Sequence, residues 1–349
     1  MQLLFAHPLL STSSAHLVSL GLGSVYVGSI FVARKARLAL ATNDGTVKGT
    51  RDDPEIIKSR LVSVSMATLG CCAGVFGILW KQVGGTVRMS RRGRQDGHTG
   101  IHLLCFHPTR RRRNLDISLE AALVRLGFMP PALSITSILP HLVTPVLFLG
   151  PLFASGFLAR QLPLMKHFSW KGFFSARLGN IYGLRNYIVA PITEEIVFRS
   201  CVIAVYHLSG ASSRRMIFLA PLTFGLAHVH HAYEVWHRYG SNVHAAKIAV
   251  SSSVFQLAYT TLFGSIASYL FLRTGSILPP ITAHIFCNMM GFPDISNEMR
   301  RFPKYKKLII GAYVLGIAGF IYALPRWTET PNNLYWPRAD DAQFRYAKY

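Results

Sequence analysis

The chain has 349 residues, 50% of them hydrophobic and only 15% charged, with a mean hydropathy of +0.30. Soluble domains carry roughly 25% charged residues, so these numbers exclude an ordinary water-soluble enzyme and point to a polytopic membrane protein. The net charge of +22 raises nucleic acid as a partner. However, the basic residues cluster between apolar runs, as cytosolic loops and anionic headgroups favour, and no zinc-finger or RNA-binding signature accompanies them.

About eight runs approach the roughly 20 apolar residues that a bilayer requires. In chain order they lie near 14–33, 61–80, 132–158, 187–206, 215–230, 248–272, 275–292 and 308–325. The expected architecture is an all-α, polytopic transmembrane helix bundle with a polar intramembrane catalytic cavity. The chain divides into residues 1–80 with the first two spans, 81–130 with a basic loop and an interfacial helix, 131–325 as the main bundle, and 326–349 as a polar C-terminal tail. The start of the chain lacks the basic flank and cleavage site of a secretory signal, so the first span is expected to be retained. The five cysteines, Cys71, Cys72, Cys105, Cys201 and Cys287, contain no CxxC pair and read as small buried hydrophobes.

Lysine and arginine placement gives an orientation. The loop after the first span holds Arg34, Lys35, Arg37, Lys48, Arg51, Lys58 and Arg60, and is expected in the cytosol. Alternation then puts the loop carrying Arg160 to Arg185 and the one carrying Arg300 to Lys307 on the same side. Residues 81–117, with "RRGR" and "RRRR", break the pattern, because alternation makes them lumenal. The following "ISLEAALVRLGF" is amphipathic and suits the membrane interface.

The fourth run carries "PITEEIVFRS". A charge at a span's centre costs on the order of 2.5–3.5 kcal/mol by insertion scales, so charges there usually face an interior cavity and mark a site. On a helix Glu195 and Arg199 are four apart in the favourable order for an ion pair, while Glu194 projects about 100° away. One carboxylate is then locked and its neighbour available for chemistry; the alternative is a single structural cluster of all three. The fifth run reads "FGLAHVHHAYE", where Phe224 and His228 share a face and His230 and His231 follow. The seventh reads "AHIFCNMMG", where His284 and Asn288 share a face. A carboxylate, two imidazoles and a carboxamide are sufficient for hydrolysis: a base activates water, histidines manage protons, and N–H donors hold the oxyanion.

Together "EEIVFR", "FGLAH" and "HIFCN" fit EExxxR, FxxxH and HxxxN in that order. The chain thereby resembles the type II CAAX prenyl endopeptidases, the Ras-converting enzymes of the larger CPBP intramembrane protease family, over roughly residues 185–292. The resemblance implies an endoplasmic reticulum membrane enzyme that removes the last three residues from prenylated CaaX proteins such as Ras-like small GTPases. Membrane lipids are the implied surroundings, and nucleic acid is not a partner. It also implies that Glu194 activates water, that His228 positions the water or shuttles protons, and that His284 and Asn288 form the oxyanion hole. Glu195, Arg199, Phe224 and His231 would support them. No cofactor is implied.

Three alternatives stay open. Glu194, His228, His231 and His284 offer ligands of the kinds zinc takes, although no HExxH motif is present. Cys287 lies one turn from His284 as a possible nucleophile, although no flanking cation activates it. A scaffold or transporter of the same fold would use these polar groups to line a conduit.

Overall fold

A computed structural model describes residues 8–32, 52–95, 112–129, 134–226, 231–331 and 333–336, and among them it contains helices and connections but no strand. Helix α1 is Thr12–Val32 and α2 is Pro54–Gln95. Pro54 suits the first helical position, where its missing N–H is not needed. Asp53 caps the same end, its Oδ1 accepting from the Glu55 amide at 2.8 Å. Helix α3 (Arg112–Arg125) packs along α2, burying Ala121, Ala122 and Leu126.

Helix α4 (Ile135–Leu147) and α5 (residues 149–158) form a pair bent by 71°. A short α6 (Trp170–Arg177), capped by Ser169, leads into α7. Helix α7 runs over residues 181–208 without a break, but its pitch changes: Arg185–Val189 and Ile196–Cys201 are π-helical, and Ala190–Glu195 between them is α-helical. Then come α8 (Ser213–Leu226), α9 (His231–Arg238), α10 (Val243–Thr274), α11 (Leu278–Met290), α12 (Ile295–Arg301) and α13 (Lys306–Trp327).

The centre of the molecule is α7. Residues Val197 to Val205 are buried on every side and, Arg199 and Ser200 apart, apolar, as suits a helix inside a bundle. It is enclosed by α1, α2, α8, α10 and α11. The outer faces of α1, α2, α10 and α13 expose Leu17, Val62, Met66, Val254, Leu262, Val314 and Ile321, which suits contact with lipid rather than water. The fold is thus an all-helical, multi-pass membrane bundle.

The described parts of the eight apolar runs fall mainly on helices, but they differ in kind. Four helices, or five if α4 and α5 form one broken span, are long and apolar enough to cross a bilayer. Helix α11 has 13 residues, about 20 Å at 1.5 Å per residue, short of a hydrocarbon core of about 30 Å. It packs against α4, α7 and α10, where protein neighbours replace lipid, whereas α8 packs against α10 with Phe218 and Leu222 exposed.

Residues 96–111, much of the basic segment, lie outside the described residues, and α2 extends up to it. Beyond α13, Thr328 and Asn333 to Tyr335 are buried. Asn333 Nδ2 donates to the Leu272 carbonyl at 2.7 Å, and the Tyr335 hydroxyl donates to the Arg125 carbonyl. This stitches the stretch after α13 to α3 and α10. Gly275, in the left-handed region at φ +64°, ends α10 at that junction.

Candidate active site

Glu195 has no exposed surface, and neither has Arg199 one turn later. Their Oε2 and Nε are 3.0 Å apart, an i, i+4 ion pair inside the bundle. The angle lies outside hydrogen-bond geometry, so charge and packing hold the guanidinium. Its Cζ sits 4.5 Å from the centroid of Phe224 and 5.9 Å from that of Phe263, two aromatic rings that favour a cation. Gly264 makes this possible. A Cβ there would lie 2.9 Å from Pro221 Cβ and 3.1 Å from Arg199 Nη2, so only glycine lets α10 approach α8 and the arginine so closely.

His284 arrives on α11 and joins the two glutamates. Its Nδ1 is 2.7 Å from Glu195 Oε1, and its Nε2 is 3.8 Å from Glu194 Oε2. A carboxylate paired with arginine accepts only, which assigns the Nδ1 proton to the bond with Glu195 and leaves Nε2 facing Glu194. Glu194 and Glu195 diverge at the backbone, yet their carboxylates meet the two nitrogens of one ring. Phe263 covers that ring at 5.0 Å.

Above Glu194 the hydroxyl of Thr193 donates to the Val189 carbonyl at 2.7 Å, so its oxygen accepts from the buried Tyr26 hydroxyl at 2.9 Å. One turn beyond His284, Asn288 Nδ2 donates 2.8 Å to the main-chain carbonyl of Asn186 on α7. Tyr26, Asn186, Glu194, His284 and Asn288 border a cavity of about 1070 Å³ that reaches from α1 and α2 across α7, α10 and α11 to α13. Its walls are mainly apolar, with Tyr26, Phe255, Tyr259 and Phe263 prominent, and Glu194, His284 and Asn288 face into it. A large apolar enclosure with a few convergent polar groups is the usual form of a ligand site.

Six of the eight residues singled out in the sequence therefore come together: Glu194, Glu195, Arg199, Phe224, His284 and Asn288. His228 lies outside the described residues, as does the side chain of His231 at the start of α9. Among the described residues no group of three or more His, Cys, Asp or Glu is placed to hold a metal ion, but two of the four candidate ligands are those histidines. Cys287 borders the cavity. Tyr26, Phe263, Arg185 and Asn186 were not singled out. The aromatic pair carries no pattern beyond apolarity, and Arg185 reads in sequence as one more flanking cation.

Comparison with known proteins gives a consistent result. Residues 176–290, which contain the whole motif set, match the family described as Type II CAAX prenyl endopeptidase Rce1-like. The chain is 32% identical to CAAX prenyl protease 2 of Homo sapiens over 315 residues, 89% of this chain and 80% of that one. It is 28% identical to the probable CAAX prenyl protease 2 of Schizosaccharomyces pombe over 86% of this chain and 90% of that one. The Arabidopsis thaliana CAAX prenyl protease 2 is 41% identical over a shorter stretch, 42% of this chain and 44% of the relative. No solved structure matches the chain. On these grounds, with Glu194, Phe224, His284 and Asn288 of the three motifs bordering one cavity, the chain belongs to the type II CAAX prenyl endopeptidases, a family of membrane peptidases.

Proposed function

We propose that the chain removes the C-terminal tripeptide from prenylated CaaX proteins, using a water activated by Glu194. The observation that carries this reading is the placement of Glu194 and His284 Nε2, 3.8 Å apart, at the wall of a large apolar cavity within the bundle. The names of the relatives support prenylated CaaX proteins as the substrate class, and Ras-like small GTPases among them are the substrates we infer from the family resemblance. The cavity walls suit a hydrocarbon chain arriving from surrounding lipid. The endoplasmic reticulum membrane is the location that goes with this reading, on family resemblance alone.

In this mechanism Glu194 takes a proton from water, and the resulting hydroxide attacks the carbonyl carbon of the prenylated cysteine. The C–N bond then breaks, and Glu194 returns the proton to the amine of the departing tripeptide. Charge develops on the carbonyl oxygen, where Asn288 and His284 supply donors. With Nδ1–H committed to Glu195, His284 Nε2 donates only as the imidazolium and accepts in the neutral ring. Glu195 fixes the ring's orientation, and the contact with Arg199 holds Glu195 in place. His228 takes a proton-shuttling or water-positioning role by its place in the FxxxH motif.

The test is release of the terminal tripeptide from a farnesylated CaaX peptide by membranes expressing the chain. Glu194→Gln is expected to lower turnover by at least about 10²-fold, the scale of a lost general base, while leaving a folded protein. Retained turnover in that variant rules the mechanism out. The reaction as written uses no metal, so activity is expected to survive strong chelation; loss that zinc restores would favour a metal held by Glu194, His228, His231 and His284. Cys287→Ala is expected to stay active. No cleavage by the folded, unmutated chain would favour a scaffold.

A further inference from the structure

The charges bordering the cavity are sorted by sign. Glu194, with Glu195 behind it, marks the end where α7 is deepest in the bundle. Two guanidinium groups, Arg60 on α2 and Arg185 on α7, mark the end where these two helices begin. Arg185 is held in a defined orientation: its Nη1 meets Asp52 Oδ1 at 3.0 Å, and its Nε donates to Asn186 Oδ1 at 2.8 Å. The Asn186 carbonyl in turn accepts from Asn288, so the Arg185 end of the cavity is coupled to the oxyanion side of the site through two hydrogen bonds.

We propose that Arg185, assisted by Arg60, binds the free α-carboxylate of the peptide substrate and thereby sets which bond reaches Glu194. This rests on the peptidase reading above. Arg185 and Glu194 are nine residues apart on one helix, roughly 13 Å at the α-helical rise. A terminal carboxylate three residues beyond the scissile carbonyl lies about 10 Å away in an extended chain. The two spans agree to within the reach of a side chain. An anionic terminus is drawn to the arginine end and repelled from the glutamate end, which gives the peptide one direction in an otherwise apolar cavity. Guanidinium suits the task because its fork matches a carboxylate with two parallel hydrogen bonds. Arg185 and Arg60 are thus positioning residues for the substrate terminus, and Asp52 orients Arg185.

The experiment compares two farnesylated CaaX peptides, one ending in a free carboxylate and one in a carboxamide. The unmutated protein is expected to favour the acid by about tenfold or more in kcat/KM, mostly through KM, as loss of a charge-assisted hydrogen bond would give. Arg185→Gln is expected to collapse that ratio toward one, and Arg185→Lys to restore part of it, because charge returns without the fork. The ratio separates recognition from folding, since a merely structural fault lowers both peptides alike. A ratio near one in the unmutated protein, or an undiminished ratio in both Arg60→Gln and Arg185→Gln, overturns the carboxylate subsite and leaves the peptidase reading intact. Cleavage of neither peptide by the folded, unmutated protein overturns both.

Discussion

Glu195→Gln separates the supporting carboxylate from the reacting one. The change keeps size and shape but removes the charge facing Arg199, leaving a guanidinium with no exposed surface and no anion at 3.0 Å. Removing one partner of a buried pair costs about 3–5 kcal/mol. The Phe224 and Phe263 rings stay against the cation and retain about 0.5–2 kcal/mol, so the lower end, about 3 kcal/mol, is expected. Arg199→Met should cost a similar amount by stranding Glu195. The double variant Glu195→Gln/Arg199→Met strands neither charge, and replacing a whole buried pair with apolar or neutral groups is often close to neutral. With about 3 kcal/mol lost in each single variant and little in the double, a coupling energy of up to about 6 kcal/mol between the two positions is therefore expected. The assay is unfolding of the purified protein in mixed detergent micelles, with tripeptide release measured in parallel. Activity should stay low in the double variant although stability returns, because His284 Nδ1 has lost its anionic acceptor. Additive stability losses, with coupling below about 0.5 kcal/mol, would refute the buried-pair argument. Full activity in Glu195→Gln would refute the orienting role.

Two further changes test the surroundings. Gly264→Ala puts a methyl group 2.9 Å from Pro221 Cβ, a ring that cannot swing aside, so α8 and α10 must separate; a loss of about 1–3 kcal/mol is expected from overpacking in the same unfolding assay, with reduced turnover as Arg199 shifts. Outside the spans, burial of Glu298 on α12, aided by nearby Asp294, raises its carboxyl above the ordinary range against the lowering effect of the Tyr313 hydroxyl bonded to it at 3.0 Å. The folded state then holds that proton more tightly than the unfolded one, so this group's contribution is greatest in acid and declines as pH rises from the ordinary carboxylate value through the raised one. Glu298→Gln is expected to flatten that part of the stability profile, which begins at the ordinary carboxylate value and lies above it.

The parts of the site that depend on local spacing were legible in the sequence, and those that depend on tertiary register were not. Glu195 and Arg199 meet because four residues make one helical turn, whatever surrounds them. His284 and Asn288 share a face for the same reason. That His284 would bond Glu195 through Nδ1 while its other nitrogen faces Glu194 depends on how α11 slides against α7, across 89 positions, and no local pattern encodes it. Hydropathy likewise marked the apolar helices among the described residues but could not tell a lipid-facing span from the short, enclosed helix α11, which is equally apolar. The segment after Pro325 reads as polar, yet Asn333 and Tyr335 are buried because each finds a main-chain carbonyl.

The two π-helical segments around the glutamates explain how α11 is held to α7. In Arg185–Val189 the amide of Ala190 bonds back five residues to the Arg185 carbonyl. The next bond in that series would run from residue 191 to the Asn186 carbonyl, but residue 191 is proline and has no N–H. Asn288 fills that place at 2.8 Å, so a missing main-chain donor on one motif helix becomes the docking point for the other. Asn288 is then oriented by the backbone four residues before the segment that carries Glu194. Pro191→Ala puts the donor back. It should remove an interior proline whose usual cost is about 3 kcal/mol, so stability is expected to hold or rise. The restored N–H would compete with Asn288 for the Asn186 carbonyl and loosen the carboxamide beside the site. A protein at least as stable and several-fold slower in tripeptide release is the expected outcome, read by unfolding and by kcat on the same preparation. A destabilised Pro191→Ala would mean the proline serves packing instead, and an equally fast one would mean that the oxyanion donor does not depend on this anchor.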